Sequence, residues 1–329
     1  MEKVYPQKLK PGDKVRVIAP SQSASIIVKA TRKLANENLL SLGLAASFSR
    51  NANEIDEFNS SSIESRIEDL HTAFADTEIA GILTVIGGFN SNQLLKYIDW
   101  TLIKNNPKVF CGYSDITVLG NAIYAKTGLV TYSGMHYSTF GQKKLQNYNT
   151  KYFKKCLFLD DPFEILPSEK WSDDKWYLDQ ENRNFMPNEG WWIINEGRAK
   201  GTALGGNLAT FRLLYGTEFT PSLKDSVLFL EDDNFTANDI AEFDRNLQAL
   251  IHQPGFQYVS GLVIGRFQQG SKVTKDKLLR VIKTKKELAD VPVIGNVDFG
   301  HTDPLITFPI GGNVEIEAGN SSRIKFIKH

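Results

Sequence analysis

Eight consecutive residues, Ile79-Ala80-Gly81-Ile82-Leu83-Thr84-Val85-Ile86, offer water one hydroxyl and no charge. A strand written this way has no polar face. It has to be covered on both sides, which is the situation of a strand inside a parallel sheet flanked by helices. The neighbouring sequence agrees. Lys14-Val15-Arg16-Val17-Ile18-Ala19-Pro20-Ser21 is a β-branched strand stopped at Pro20, and helical spacing follows through Val28, Ala30, Leu34 and Leu39-Leu40. A strand near Leu44 to Phe48 and a polar loop (51–62) lead to an amphipathic helix through Ile63, Ile67, Leu70 and Phe74. After the apolar run come Gly87-Gly88-Phe89-Asn90, a helix through Leu94, Leu95 and Ile98, and strands at Val109-Phe110-Cys111 and Leu129-Val130-Thr131-Tyr132. Strand alternating with helix predicts an open parallel α/β sheet over the first ~150 residues. Ligands of such sheets gather at the carboxyl ends of the strands, where Pro20-Ser21, Gly87-Gly88 and Ser114 all fall.

Ser114 stands between the strand Val109-Phe110-Cys111-Gly112 and a helical pattern through Val118, Leu119, Ala122 and Ile123. A tight turn there lifts the hydroxyl clear of the backbone, and the free N–H groups of the helix start face the space where an oxyanion would form. The plainer reading makes Ser114 an N-cap, with Asp115 favourable in the first turn.

The segment from Pro162 to Asn195 loses all periodicity, yet holds Trp171, Trp176, Trp191 and Trp192, four of the five tryptophans. Long irregular segments are usually functional loops or linkers, and the aromatic content argues against disorder. A loop folding over a flat ligand fits, as does one whose rings only pin it to the body. From Gly197 a second region begins. Leu204-Gly205-Gly206-Asn207-Leu208 reads as a glycine turn opening a helix and able to bind an anion, without the Lys-Ser/Thr ending of a P-loop. Ser226-Val227-Leu228-Phe229-Leu230 is a strand ending at Glu231-Asp232-Asp233-Asn234. Helices are expected through Ile240 to Leu250 and over Lys275 to Leu288, a strand from Tyr258 to Phe267, and alternating strands to the end.

At 329 residues two domains are expected. Lys plus Arg and Asp plus Glu number 38 each, so no global field draws nucleic acid or an acidic membrane; Lys283 to Lys286 reads as a solvated helix face. No apolar run reaches signal-peptide length in Met1 to Asp13 or membrane-spanning length later. The two cysteines, Cys111 and Cys156, have neither metal nor disulfide spacing, and a reducing cytoplasm is the default setting.

A serine nucleophile needs a base, usually histidine, and a carboxylate to orient it. Of five histidines, His329 is terminal, and His71 and His252 sit in helical patterns. His136, after Ser133-Gly134-Met135, rivals His301, in a Gly-His-Thr-Asp-Pro turn directly after a strand. Glu231 ends a buried strand, where an unpaired carboxylate is costly, so something basic should face it. The acidic run can instead cap the following helix, for which Asp232 or Asp233 suffices. Ser114, Glu231 and His301 can form a triad in the chain order of an α/β-hydrolase. Ile116 stands where the Gly-x-Ser-x-Gly elbow has glycine, so the lipase-type reading is weak.

Gly112-Tyr113-Ser114-Asp115, Leu204-Gly205-Gly206-Asn207-Leu208, Leu228-Phe229-Leu230-Glu231 and Gly300-His301-Thr302-Asp303-Pro304 together resemble the LD-carboxypeptidase family of serine peptidases, in the family's order and over nearly the whole chain. The resemblance implies an α/β fold: a Rossmann- or flavodoxin-like open parallel sheet (1–160), a linker with the tryptophan-bearing loop (161–196) and an α/β or barrel-like C-terminal domain (197–329), usually as a homodimer. It puts the nucleophile on Ser114, the triad glutamate on Glu231, the base on His301 and the oxyanion hole on the N–H groups of Asp115 and Gly88. No cofactor or metal is implied. The murein branch of the family typically has Arg-Gly-Gly-Tyr-Gly after the third strand, whereas this chain has Ile86-Gly87-Gly88-Phe89-Asn90 and the long tryptophan loop. Both features resemble the microcin C self-immunity (MccF-like) branch, which cleaves an amide-like bond between an aminoacyl group and a nucleotide analogue. On that basis Trp176, Trp191 or Trp192 would stack on a purine, and Asn207 would contact the acyl portion. The alternatives are a murein tetrapeptide LD-carboxypeptidase and a non-catalytic binder of a small ligand. Neither a nucleic acid polymer nor a membrane is an expected partner.

Overall fold

The computed structural model describes residues 2–233 and 239–329; Met1 and Asn234, the end of the acidic run, lie outside the described residues. The apolar strand Ile79–Thr84 (β3) lies in the middle of the first sheet, as its lack of a polar face requires. Around it run β1 (Lys14–Ile18), β2 (Ala45–Phe48), β4 (Val109–Cys111) and β5 (Thr131–Ser133), all parallel, in the order β5-β4-β3-β1-β2. The order reverses between β1 and β3. At such a switch point the loops leaving two strands diverge and open a crevice, here between Ser21 and Gly87. Ser62 starts the helix Ile63–Ala75 by accepting from Ser65 N at 3.0 Å, and Gly128, at φ +78°, ends the helix Thr117–Thr127 that follows Ser114.

Among the described residues the second sheet has eight strands. β6 (Phe163–Glu164) and β9 (Trp192–Asn195) are its edges; between them lie β10 (Gly197–Asn207), β11 (Ser226–Glu231), β12 (Val259–Gly265) and β13 (Val293–Val297), mutually parallel, with β15 (Asn313–Ala318) and β16 (Arg323–Lys328) antiparallel beyond β10. It is an open mixed sheet, so of the two expected forms the C-terminal region takes the α/β one. A two-stranded ribbon, β7 (Lys170–Trp171) with β8 (Met186–Pro187), closes the base of the tryptophan-bearing segment. One strand crosses back: β14 (Phe308–Ile310) pairs antiparallel with β5, at the edge of the first sheet.

Two local expectations are corrected. Gly205-Gly206 is not a turn but the end of the eleven-residue strand β10. Its glycines let the helix after Ser114 approach: a Cβ on Gly206 would stand 2.5 Å from Thr117 Oγ1. Two N–H groups there are already engaged, Gly205 N with Asn121 Oδ1 (3.1 Å) and Asn207 N with Thr117 Oγ1 (3.0 Å). The basic run Lys283 to Lys286 is not simply a solvated face either, since Lys285 is buried against Asp244 and Lys283 donates to Asn195.

Candidate active site

Ser114 takes φ +60°, a left-handed conformation that costs a non-glycine residue about 1–2 kcal/mol. Strain kept at a strand-to-helix turn is how such a turn presents a side chain. Gly112 makes the turn sterically feasible, because a Cβ there would collide with Thr84 Oγ1. The hydroxyl caps nothing; its partner is His301, with Oγ 3.0 Å from Nε2. His301 Nδ1 lies 2.8 Å from Glu231 Oε2. Glu231 is buried at the end of β11, and Gly300 (φ +99°) packs flush against it: a Cβ there would sit 2.7 Å from Oε2. The helix described after the acidic run is Asp239–Ile251.

The electrostatics follow from this packing. Burial by itself lowers an imidazole's pKa, but the charge and hydrogen bond of Glu231, helped by Asp233 and Asp232, prevail and raise His301 to about 9. Asp232 is raised to about 8 by burial and by its neighbours Glu231 and Asp233, which makes it a neutral acid at pH 7. Asp233 Oδ2 stands 3.9 Å from His301 Nε2, and its Oδ1 accepts from Asn207 Nδ2 at 2.9 Å. The rival, His136, is near the site but not in the array. Its ring stacks on Tyr113 (centroids 4.3 Å apart), its Nδ1 lies 2.8 Å from Thr84 Oγ1, and burial, then the charge of His301, lowers its pKa to about 3. It is a neutral wall.

Beside the serine, a Cβ on Gly87 would be 2.9 Å from Ser114 Oγ, so this backbone passes directly against the hydroxyl. Gly88, at φ +150°, has room for no side chain because Ser21 Oγ occupies the place. The Asp115 carboxylate fastens the strand ends together, accepting from Ser21 Oγ (2.6 Å) and Ser91 N (2.9 Å). Ser114, His301, Gly87 and Gly88 thus line one side of a cavity of about 610 Å³. The lining also includes the apolar and aromatic side chains of Ile26, Val28, Phe89, Trp176, Tyr177 and Leu178. Among the described residues neither lysine nor arginine lines it.

Of the four tryptophans, only Trp176 reaches this cavity. Trp192 belongs to the edge strand β9, its Nε1 donating to Glu189 (2.6 Å), and Trp191 lines a separate groove with Leu166, Pro167 and Ile193. Trp171 lies under the guanidinium of Arg266 at 5.0 Å. Asn207 is adjacent but occupied, its Oδ1 accepting from Thr210 N and its Nδ2 donating to Asp233. Sequence reasoning missed Asp233, although it stands in the same acidic run as Glu231, and missed Tyr177, Leu178 and Phe89 as lining residues.

The description of an LD-carboxypeptidase N-terminal domain matches residues 15–134, and that of an LD-carboxypeptidase C-terminal domain matches residues 200–316. A Bacillus subtilis protein, YocD, named only provisionally as a carboxypeptidase, is 53% identical over 327 residues, 99% of this chain and 100% of its own. The crystal structure of an MccF-like protein from Bacillus anthracis superposes with a TM-score of 0.98 at 52% identity, covering 99% of this chain and 100% of that one. The microcin self-immunity protein MccF, solved in complex with glutamyl sulfamoyl guanosine, superposes at 0.87 with 28% identity over 98% of both chains. With both halves matched in order along one polypeptide, the chain belongs to the LD-carboxypeptidase family of serine peptidases.

Proposed function

We propose that this protein hydrolyses the amide-like bond joining an aminoacyl group to a nucleotide analogue, through a Ser114–His301–Glu231 triad. The observation that carries the reading is the unbroken contact Ser114 Oγ–His301–Glu231 in a cavity that Phe89, Trp176 and Tyr177 also line. His301 takes the proton of Ser114 as the hydroxyl attacks the acyl carbon, and Glu231 holds Nδ1–H so that Nε2 faces the serine. The N–H groups of Asp115 and Gly88 receive the oxyanion. The protonated His301 then gives its proton to the leaving nitrogen, and water, deprotonated by the same imidazole, releases the acyl group from the ester.

Trp176, with Tyr177 and Phe89 beside it, is the surface for a nucleobase. Asn207 contributes by fixing Asp233 beside the acyl end. The structure of MccF with glutamyl sulfamoyl guanosine supports this class of ligand. The aromatic lining offers a murein tetrapeptide, which has no flat base, no comparable partner. The reading includes a cytoplasmic homodimer and a division at 1–160, 161–196 and 197–329, with Phe308–Ile310 returning to the first sheet. The test is a hydrolysis assay of wild type and Ser114→Ala on glutamyl sulfamoyl adenosine and on a murein tetrapeptide ending in D-alanine. Cleavage of the nucleotide substrate alone, lost in the variant, is expected; cleavage of the tetrapeptide alone would overturn the assignment.

A further inference from the structure

The turn carrying His301 is gripped on both sides by the segment carrying Trp176. Before the turn, Asp298 accepts from Ser168 N (2.9 Å), Ser168 Oγ (2.7 Å) and Tyr148 OH (3.2 Å), and pairs with Arg266 at 2.6 Å. After it, Asp303 exchanges both backbone hydrogen bonds with Ser172, each 2.8 Å. The Asp303 carboxylate accepts from Gln142 Nε2 (2.7 Å) and Arg183 Nη2 (2.9 Å), while Arg183 Nη1 donates to Gln142 Oε1 at 3.3 Å. Ser172 and Arg183 are the two feet of a loop that Asp174 draws shut, accepting from Asn184 N (2.5 Å) and Ser172 Oγ (3.2 Å). Between those feet lie Trp176, Tyr177 and Leu178, the aromatic side of the cavity.

Burying an ion pair is a poor way to gain stability, because the desolvation of both charges roughly cancels their attraction. The Arg183 and Asp303 side chains are only 1% and 10% exposed. What a planar guanidinium fork offers instead is a fixed orientation, since it bonds two partners at set angles. Here the partners are Asp303, two residues beyond His301, and Gln142, which follows the first sheet.

We propose that Arg183 is a positioning residue: through Asp303 it locks the aromatic loop and the His301 turn into one unit, so that the seat of the nucleobase and the aim of the imidazole are set together. The second half of this statement rests on the nucleotide reading above; the first half does not.

The test compares full-length wild type, Arg183→Gln and Arg183→Lys in two assays, one for each half. The first is the rate constant, as distinct from the final extent, with which a fluorophosphonate labels Ser114. The second is the affinity for AMP by calorimetry. Arg183→Gln is expected to label about tenfold more slowly or worse, a loss typical of a group displaced by a fraction of an ångström, and to bind AMP severalfold more weakly. Arg183→Lys, which keeps the charge but not the fork, should fall between. A merely structural role would reduce the labelled fraction and the melting temperature but leave the rate constant of the folded molecules unchanged, and that result overturns the proposal. If Arg183→Gln does not fold, Arg183→Lys and Gln142→Leu, which breaks the fork from its other side, decide it by the same rate constant. Wild type that labels but does not bind AMP would remove the nucleotide reading and the coupling to it, while the labelling arm still decides whether Arg183 positions His301. Wild type that does not label would remove both.

Discussion

Replacing Glu231 with glutamine preserves the side chain's shape and removes its charge, which makes it a quantitative probe of the array. His301 is raised from its ordinary 6.5 to about 9 against the opposing effect of burial. A rise of that size is on the order of 3 kcal/mol in favour of the imidazolium. Glu231 supplies the larger part, by charge and by hydrogen bond, with Asp233 and Asp232 adding less. In Glu231→Gln burial is opposed only by Asp233 and Asp232, so the imidazole titrates well below its wild-type value. Because the base must be neutral to take the serine proton, wild-type kcat/KM should climb with pH through about 9, whereas the variant should reach its plateau at distinctly lower pH. That plateau should lie far lower. A glutamine amide that donates to Nδ1 leaves the proton on Nε2, facing Ser114, and a wrong tautomer costs about 10⁴ in rate, about 5.5 kcal/mol of barrier. The stability signature runs in the same window. A pKa raised on folding stabilises fully below 6.5 and loses that contribution as pH rises through about 9. Urea unfolding of the wild type should therefore weaken over that interval, and the weakening should shrink in Glu231→Gln. A variant whose rate profile still turns near 9, or whose plateau falls less than tenfold, would refute the assignment of Glu231 as the group that charges and aims His301.

Other substitutions separate roles that geometry alone leaves joined. Ser114→Ala and Ser114→Gly should both be inactive, but the glycine variant should be the more stable by about 1 kcal/mol in urea, because only it relaxes at φ +60°. Trp176→Ala should weaken AMP binding measured by calorimetry, and Trp192→Ala, on the far edge strand, should leave it unchanged; the reverse pattern would mean that the base sits elsewhere. Asp232→Asn should leave stability at about pH 3 almost unaltered and raise it increasingly as pH climbs from 3.8 to about 8. The native carboxyl is raised from 3.8 to about 8, so between those values it stays protonated while the unfolded one ionises, a cost the amide escapes.

The parallel sheet was legible because Ile79–Ile86 admits no other placement, and the Ser114 turn because a strand breaks into a helix at one residue. Other features were hidden for identifiable reasons. The strand-like ending through Ile310 did not reveal that Phe308–Ile310 joins the first sheet, at an edge where Pro309 is tolerated. Gly205-Gly206 carries the composition of a turn but serves close packing against Thr117, a contact about ninety positions away in sequence that no local pattern records. The number of tryptophans marked the segment; which of them faces the cavity depends on where β9 pairs, and that is decided by the second sheet. Arg183 was one polar residue among many until Asp303 stood opposite it.

The passage from β13 in the second sheet to β14 in the first runs through His301, so the imidazole rides on a late crossing between the two sheets. A ribosome delivers Ser114 nearly two hundred residues before it delivers that crossing. Throughout the interval the serine has no base, whatever the first sheet has already folded. On the proposed triad, Ser114 therefore waits for its base until synthesis has passed β13 and reached the stretch that leads to β14, the strand beside β5.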